Sequence, residues 1–285
     1  MKNKITACID GSAISTSVCN MAAWASMVLG NAPIKLLHVL EKTNVPQKED
    51  LSGTIGLGSR EHLLEQLAEL DEQRSKLAIE HGKHILEEAA RQVKAKGATS
   101  LTVEQRHDRL LDTLMEFEEQ ARLIVIGRLG TNHTIGTQAI GSQVESVVRA
   151  IHTPILMATD KFPVPSNYMV AYDGSVTADK AISRLSTSPL LKDLPGYIVM
   201  VGKNSADNKN CLNNACALMS SNGHQVQPHL IQGQVIEALM RFQERYGIQL
   251  KVMGAYGRSK VKEFFVGSNT TKMLATSTVP VLILR

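Results

Sequence analysis

The stretch Ile5-Thr6-Ala7-Cys8-Ile9-Asp10-Gly11-Ser12 returns 163 residues later as Tyr168-Met169-Val170-Ala171-Tyr172-Asp173-Gly174-Ser175. In both places a short apolar run stops at Asp-Gly-Ser, the punctuation of a strand that turns sharply into the next element. Two further stretches repeat in the same order. Leu123-Ile124-Val125-Ile126-Gly127-Arg128-Leu129-Gly130 returns as Leu250-Lys251-Val252-Met253-Gly254-Ala255-Tyr256-Gly257. Thr153-Pro154-Ile155-Leu156-Met157 returns as Val279-Pro280-Val281-Leu282-Ile283. Three pairs in one order mean a tandem duplication. The junction falls near Lys161-Phe162-Pro163-Val164-Pro165-Ser166, where two prolines favour an extended linker. The expected domains are therefore 1–160 and 161–285, in keeping with a length of 285 residues.

Outward from the repeats, apolar runs alternate with helical periodicity. Strands are expected near 4–9, 34–40, 100–105, 122–127 and 154–158, with helices near 14–29, 61–96, 109–121 and 142–151. The second copy gives strands near 167–172, 197–202, 225–230, 249–254 and 280–284, with helices near 177–188, 207–222, 234–246 and 268–277. Alternating β and α predicts an α/β fold, a parallel sheet with helices on both faces. The first copy has an extra excursion over 41–60, rich in glycine, read as a surface loop or a lid over a ligand. Each copy ends in a short apolar strand with an open edge. Pairing the two edges antiparallel would join the halves as an internal pseudo-dimer, which leaves room for a further homodimer.

Composition narrows the function. Hydrophobic residues make up 43% and aromatics only 4%, so the chain is globular and lacks the aromatic platforms on which bases stack. Charge is uneven, net −3 over 1–160 and net +7 over 161–285. A basic half suits a small anion as well as nucleic acid, but no basic stripe interleaved with aromatics argues for the latter. No apolar run reaches membrane-spanning length, and Asp10 interrupts the N-terminal one; a cytoplasmic protein without a membrane role is expected. Cys8, Cys19, Cys211 and Cys216 form no C-x-x-C pair and read as reduced thiols.

In an open α/β sheet, ligands bind beyond the carboxyl ends of the strands where the strand order reverses. Two motifs sit at such ends. The aspartate of each Asp-Gly-Ser can accept from an amino group or a ribose hydroxyl, or it can simply build the turn. After the fourth strand of the second copy, Gly254-x2-Gly257 is followed by nine residues and then Gly267-Ser268 opening a helix. Glycines let backbone N–H groups approach phosphate oxygens, and a helix start adds unpaired donors. No P-loop lysine, no G-x-G-x-x-G after a strand, no H-E-x-x-H and no G-x-S-x-G occurs. His38 reads as a satisfied strand-end residue. His107 lies at the end of the third strand without a partner nucleophile, and His133 lies in the first glycine loop.

These residues resemble the universal stress protein family, each half matching one UspA-type domain over nearly its whole length. The family's ATP-binding subgroup is marked by G-x2-G-x9-G-[S/T], which Gly254, Gly257, Gly267 and Ser268 match, with Asp173 at the position of the adenine-contacting aspartate. The resemblance implies two five-stranded sheets of order 3-2-1-4-5. It implies an adenine nucleotide, ATP or a relative with or without magnesium, held by Asp173, Gly254, Gly257, Arg258, Gly267, Ser268 and Asn269. It implies a stress-response regulator or sensor with no catalytic residue and no metal centre. Two other classes fit the same residues: a slow ATPase or self-phosphorylating protein, and an interaction module that binds no nucleotide.

The first copy departs from the pattern. Asp10, Gly127, Gly130, Gly141 and Ser142 are present, and Ser15 also matches, but ten residues rather than nine separate Gly130 from Gly141. Its loop 128–140 holds only Arg128 as a fixed charge, whereas 258–266 holds Arg258, Lys260 and Lys262 against Glu263. Ser142 and Glu145 have capping-box spacing, which would bring a carboxylate back to the helix start; Ser268 and Thr271 carry no such charge. A weaker second nucleotide site is expected in the first copy.

Overall fold

The computed structural model describes residues 3–41, 57–130, 140–254 and 268–285. In the first half β1 (Lys4–Cys8) leads into α1 (Ser15–Val28), β2 (Ile34–Leu40), α2 (Leu57–Ala95) and β3 (Leu101–His107). Then come α3 (Leu110–Phe117), β4 (Ala121–Gly127), α4 (Ser142–Ala150) and β5 (Ile155–Ala158). The second half repeats the plan: β6 (Tyr168–Ala171), α5 (Val176–Ser186), β7 (Gly196–Val201), α6 (Ala206–Ser221) and β8 (Val226–Ile231). It closes with α7 (Val235–Tyr246), β9 (Lys251–Gly254), α8 (Ser268–Thr276) and β10 (Val281–Leu284).

All ten strands form one sheet of order β3-β2-β1-β4-β5-β10-β9-β6-β7-β8. Each half has the order 3-2-1-4-5 and is parallel throughout. The halves meet where β5 and β10 pair antiparallel, Leu156 opposite Leu282 and Ile155 opposite Ile283. Neither strand could serve as an open edge, since Ile155–Ala158 and Val281–Leu284 are apolar and fully buried. The outer edges fall to β3 and β8; β3 exposes Thr102, Val103, Arg106 and His107, with Glu104 half-buried in an ion pair with Lys35, and β8 carries Pro228. Charge and proline are what an unpaired edge tolerates.

The inner strands are buried on both faces, as their near-continuous apolar runs require. One helical layer, α1, α2, α5 and α6, covers one face; its core includes Ile5, Trp24, Leu36, Tyr168 and Leu250. On the other face α3 and α4 bury Leu114, Ile124, Val147 and Ile151 with Leu274 of α8, and α7 buries Leu239 and Phe242. The proline-containing connection is docked rather than free. The Phe162 ring lies 5.6 Å from Trp24 of α1, and Ser17 Oγ donates to the Asp160 carbonyl.

Beyond shifts of one or two residues at element ends, two helix boundaries and one added turn differ from the sequence reading. Helix α2 begins at Leu57, so 57–60 of the expected excursion is helical, and 42–56 lies outside the described residues. Helix α3 stops at Phe117, where 121 was expected. The reason is Glu118, whose carboxylate accepts from the backbone N–H of His152 (2.5 Å) and Thr153 (2.8 Å) and so is drawn toward the turn before β5. A 3-10 turn at Pro189–Leu191, which periodicity did not reveal, follows α5. Midway along α2, Gly82 permits close contact with the sheet. A Cβ there would stand 2.7 Å from His38 Cδ2 and 2.4 Å from Gln105 Nε2.

Candidate functional site

Strands β1 and β4 are neighbours, with Ala7 opposite Val125, and β6 and β9 are neighbours, with Ala171 opposite Met253. Both strands of each pair run the same way. Asp10 therefore emerges beside Gly127 and Gly130, and Asp173 beside Gly254, at the carboxyl ends where strand order reverses.

Each aspartate first builds its own turn. Asp10 Oδ1 accepts from the Ser12 N–H (3.0 Å) and from Ser15 Oγ (3.0 Å), and Ser15 Oγ accepts from the Gly11 N–H (3.1 Å). Gly11 has φ +78°, a conformation that glycine adopts without strain. Asp173 Oδ1 accepts from the Ser175 N–H (3.0 Å), Gly174 has φ +70°, and Ser175 Oγ caps α5 at the Ala178 N–H (3.2 Å). The turn role and the ligand role are compatible, because the turn takes up one carboxylate oxygen.

Around Asp10 the first half opens a cavity of about 640 Å³. That is within the size range of small-molecule sites. Its floor is the β1 and β4 ends, with Gly127, Gly130, Gly141 and Ser142 along one side. A Cβ on Gly130 would stand 3.4 Å from Asp10 Oδ2, and one on Gly141 would stand 4.0 Å from the Gly130 nitrogen. The carboxylate, the glycines and the start of α4 thus converge on one space. His38 rims it, with Nδ1 2.6 Å from the Ile9 carbonyl, the satisfied strand-end role read from sequence. Cys8 lines it too. Burial, aided by the Asp10 charge, pushes that thiol up to about 12, so it contributes bulk rather than a nucleophile.

The opposite wall comes from α2, through Ala78, His81 and Ile85. Sequence reasoning did not assign these residues to the site. Ala78 and Ile85 follow the apolar stripe of the helix, but nothing local says that the stripe ends over a cavity.

In the second half Asp173 and Gly254 are brought together, and Gly254 packs against the start of α5, where its Cβ would meet the Thr177 carbonyl at 3.5 Å. Ser268 and Asn269 open α8. Gly257, Arg258 and Gly267 lie outside the described residues, as does His133.

Two expectations about charge change. Ser142 and Glu145 do not form a capping box: Gly141 is the N-cap and Ser142 the first helical residue. The Glu145 carboxylate points along α4 to Arg149 (2.6 Å) and accepts from Thr271 Oγ1 (3.3 Å), and the arginine holds it below the usual carboxylate range. It thus leaves the helix start clear. Arg128, the fixed charge of the first loop, is 6% exposed and donates to the Ala275 carbonyl of α8, across the boundary between the halves.

Among the described residues no group of three His, Cys, Asp or Glu could hold a metal ion, and no helix is long and apolar enough to cross a membrane.

The universal stress protein family model matches residues 1–159 and 186–285. A universal stress protein of Synechocystis sp. is 33% identical over 289 aligned positions, covering 100% of both chains. Among solved structures, a universal stress protein from Archaeoglobus fulgidus DSM 4304 superposes with a TM-score of 0.71 at 20% identity, over 100% of this chain and 97% of its own. A functionally unknown protein from Pseudomonas aeruginosa PAO1 superposes at 0.61 and 15% identity, over 99% and 92%. At these identities the two superpositions bear on the fold.

Proposed function

This chain belongs to the universal stress protein family, and from that premise we propose that it binds an adenine nucleotide and works as a cytoplasmic stress-response regulator. ATP or a close relative, with or without magnesium, is the proposed ligand. Its main site is in the second of two domains, 1–160 and 161–285. Asp173 accepts from the adenosine moiety. The backbone of Gly254, Gly257 and Gly267 and the start of α8 at Ser268 and Asn269 receive the phosphates, with Arg258 as counter-charge.

The observation that carries the reading is the pairing of β6 with β9. It sets Asp173 and Gly254 at one strand end, on either side of the crevice where the sheet reverses. The spacing Gly254-x2-Gly257-x9-Gly267-Ser268 supplies the rest of the phosphate cradle. The protein holds the nucleotide rather than consuming it, and the first copy's pocket, with its longer loop, is the weaker phosphate site.

The test is mass spectrometry of small molecules released on denaturing the purified protein, followed by titration of the emptied protein with ATP. One adenine nucleotide per chain, lost in Gly267→Val, is the expected result. Recovery of none, with no heat on titration, would sink the reading.

A further inference from the structure

Helix α2 changes its apolar face midway. From Gly82 onward it packs inward through Leu86, Ala89 and Val93, all buried. Toward its N-terminus the positions in line with that face are Ala68, Glu72 and Ser75, all exposed. The leucines stand elsewhere. Leu77 precedes Leu86 by about two and a half turns, so the two point to opposite sides of the helix. Leu67, Leu70 and Leu77 are 48%, 49% and 66% exposed, and no described side chain between Leu57 and Leu77 is buried. With Arg74 between them, and Leu63 before them in the sequence, these positions alternate steps of three and four. That is heptad spacing, the narrow seam by which one helix packs against another, rather than the broader stripe of a helix lying on a core.

We propose that this seam pairs with its own copy in a second chain, as a two-stranded antiparallel coiled coil about a twofold axis near Glu72. The charges on the seam are self-complementary. Arg74 occupies the one position without a leucine, and Asp71 lies one turn before it, 3.8 Å away within the helix, with both side chains largely exposed. In the antiparallel pair, position 70 of one chain faces position 74 of the other. Each Arg74 then lies over the other chain's Leu70, within reach of its Asp71. The contact occurs twice, as a closed twofold interface requires. A parallel pair would instead set Arg74 against Arg74. The stretch 57–77 is about 30 Å long, enough for roughly three heptads. It carries five Asp and Glu against three Lys and Arg, which disfavours an anionic lipid surface as the occupant. The segment 42–56 of the same chain offers only Val45, Leu51 and Ile55 among larger apolar residues, without the repeat, and contains Pro46.

The test is the mass of the full-length chain in solution, by sedimentation velocity and light scattering at micromolar concentrations. The native protein should weigh twice its 31.1 kDa. Leu70→Glu, at an exposed position in the middle of the seam, should weaken the dimer by about ten-fold or more. Arg74→Asp sets carboxylate against carboxylate at both contacts and should weaken it by about five-fold. Asp71→Arg/Arg74→Asp reverses both charges and should restore the affinity to within about two-fold. A monomeric native chain would overturn the proposal, whether 42–56, a lipid surface or another protein covers the seam. So would a dimer untouched by Leu70→Glu, which would put the contact on another surface. Arg74→Asp without loss, or without recovery in the double variant, would overturn the antiparallel pairing. Should Leu70→Glu not fold by circular dichroism, Leu77→Gln decides in the same way.

Discussion

Arg128, one residue past β4 of the first half, donates through its guanidinium to the backbone carbonyl of Ala275 in α8 of the second. Thr271 of the same helix donates to Glu145 of α4. The two helices that follow the glycine motifs are thereby tied to each other across the boundary between the halves. Truncating Arg128→Ala leaves a buried carbonyl without this donor, so a loss of about 2 kcal/mol in urea unfolding is expected. An unchanged midpoint would mean that the contact contributes nothing.

The joined edges should be the most protected backbone in the molecule. Ile155–Met157 and Val281–Ile283 lie at the centre of a ten-stranded sheet, paired on both sides. Hydrogen exchange there should require global unfolding, while amides of the edge strands β3 and β8 exchange sooner. Equal exchange in edge and centre would show that the whole sheet opens in one cooperative step, with no earlier release of its edges.

Gly82→Ala tests how closely α2 approaches the sheet. Alanine in a helix interior gains about 1 kcal/mol over glycine. Here the added Cβ meets His38, which is buried and held at the Ile9 carbonyl and cannot easily move. Net destabilisation of about 1–2 kcal/mol is therefore expected. A stabilised variant would show that the helix shifts without cost.

Lys251 is the counterpart of Ile124 in the repeat and is 5% exposed, and burial pulls its pKa down to about 8. An unfolded lysine titrates near 10.4. Between these values the unfolded chain holds more protons than the folded one, so this group's contribution to stability rises with pH. Lys251→Met should accordingly be more stable than the native chain by up to about 3 kcal/mol at pH 7. The gap should narrow from pH 8 and close near 10.5. A gap independent of pH would show that the ammonium is solvated in the folded state.

Thiol reactivity should be graded. Burial pushes Cys8 and Cys19 up to about 12 and Cys216 up to about 11. At pH 8 these three should alkylate far more slowly than the half-buried Cys211, as followed by peptide mass mapping. Fast labelling of Cys8 would show that the first pocket admits reagents and stabilises the thiolate.

The sequence by itself determined the repeat, the order of strands and helices and the turns at Asp10 and Asp173, because these follow from periodicities of two to four residues and from glycine chemistry. Even the β5–β10 pairing was legible, since two apolar strands without partners have few ways to satisfy their backbone groups. Tertiary structure alone decided where charge goes. Arg128 reads as the one fixed charge of the first glycine loop, yet a carbonyl 147 residues away holds it. Glu145 has capping-box spacing with Ser142, yet Arg149 and Thr271 take its carboxylate. His81 and Ile85 carry no local mark of a site; α2 brings them there only by crossing β2 and β3 at Gly82. Long side chains choose among partners that distant segments supply, and no local pattern encodes that choice.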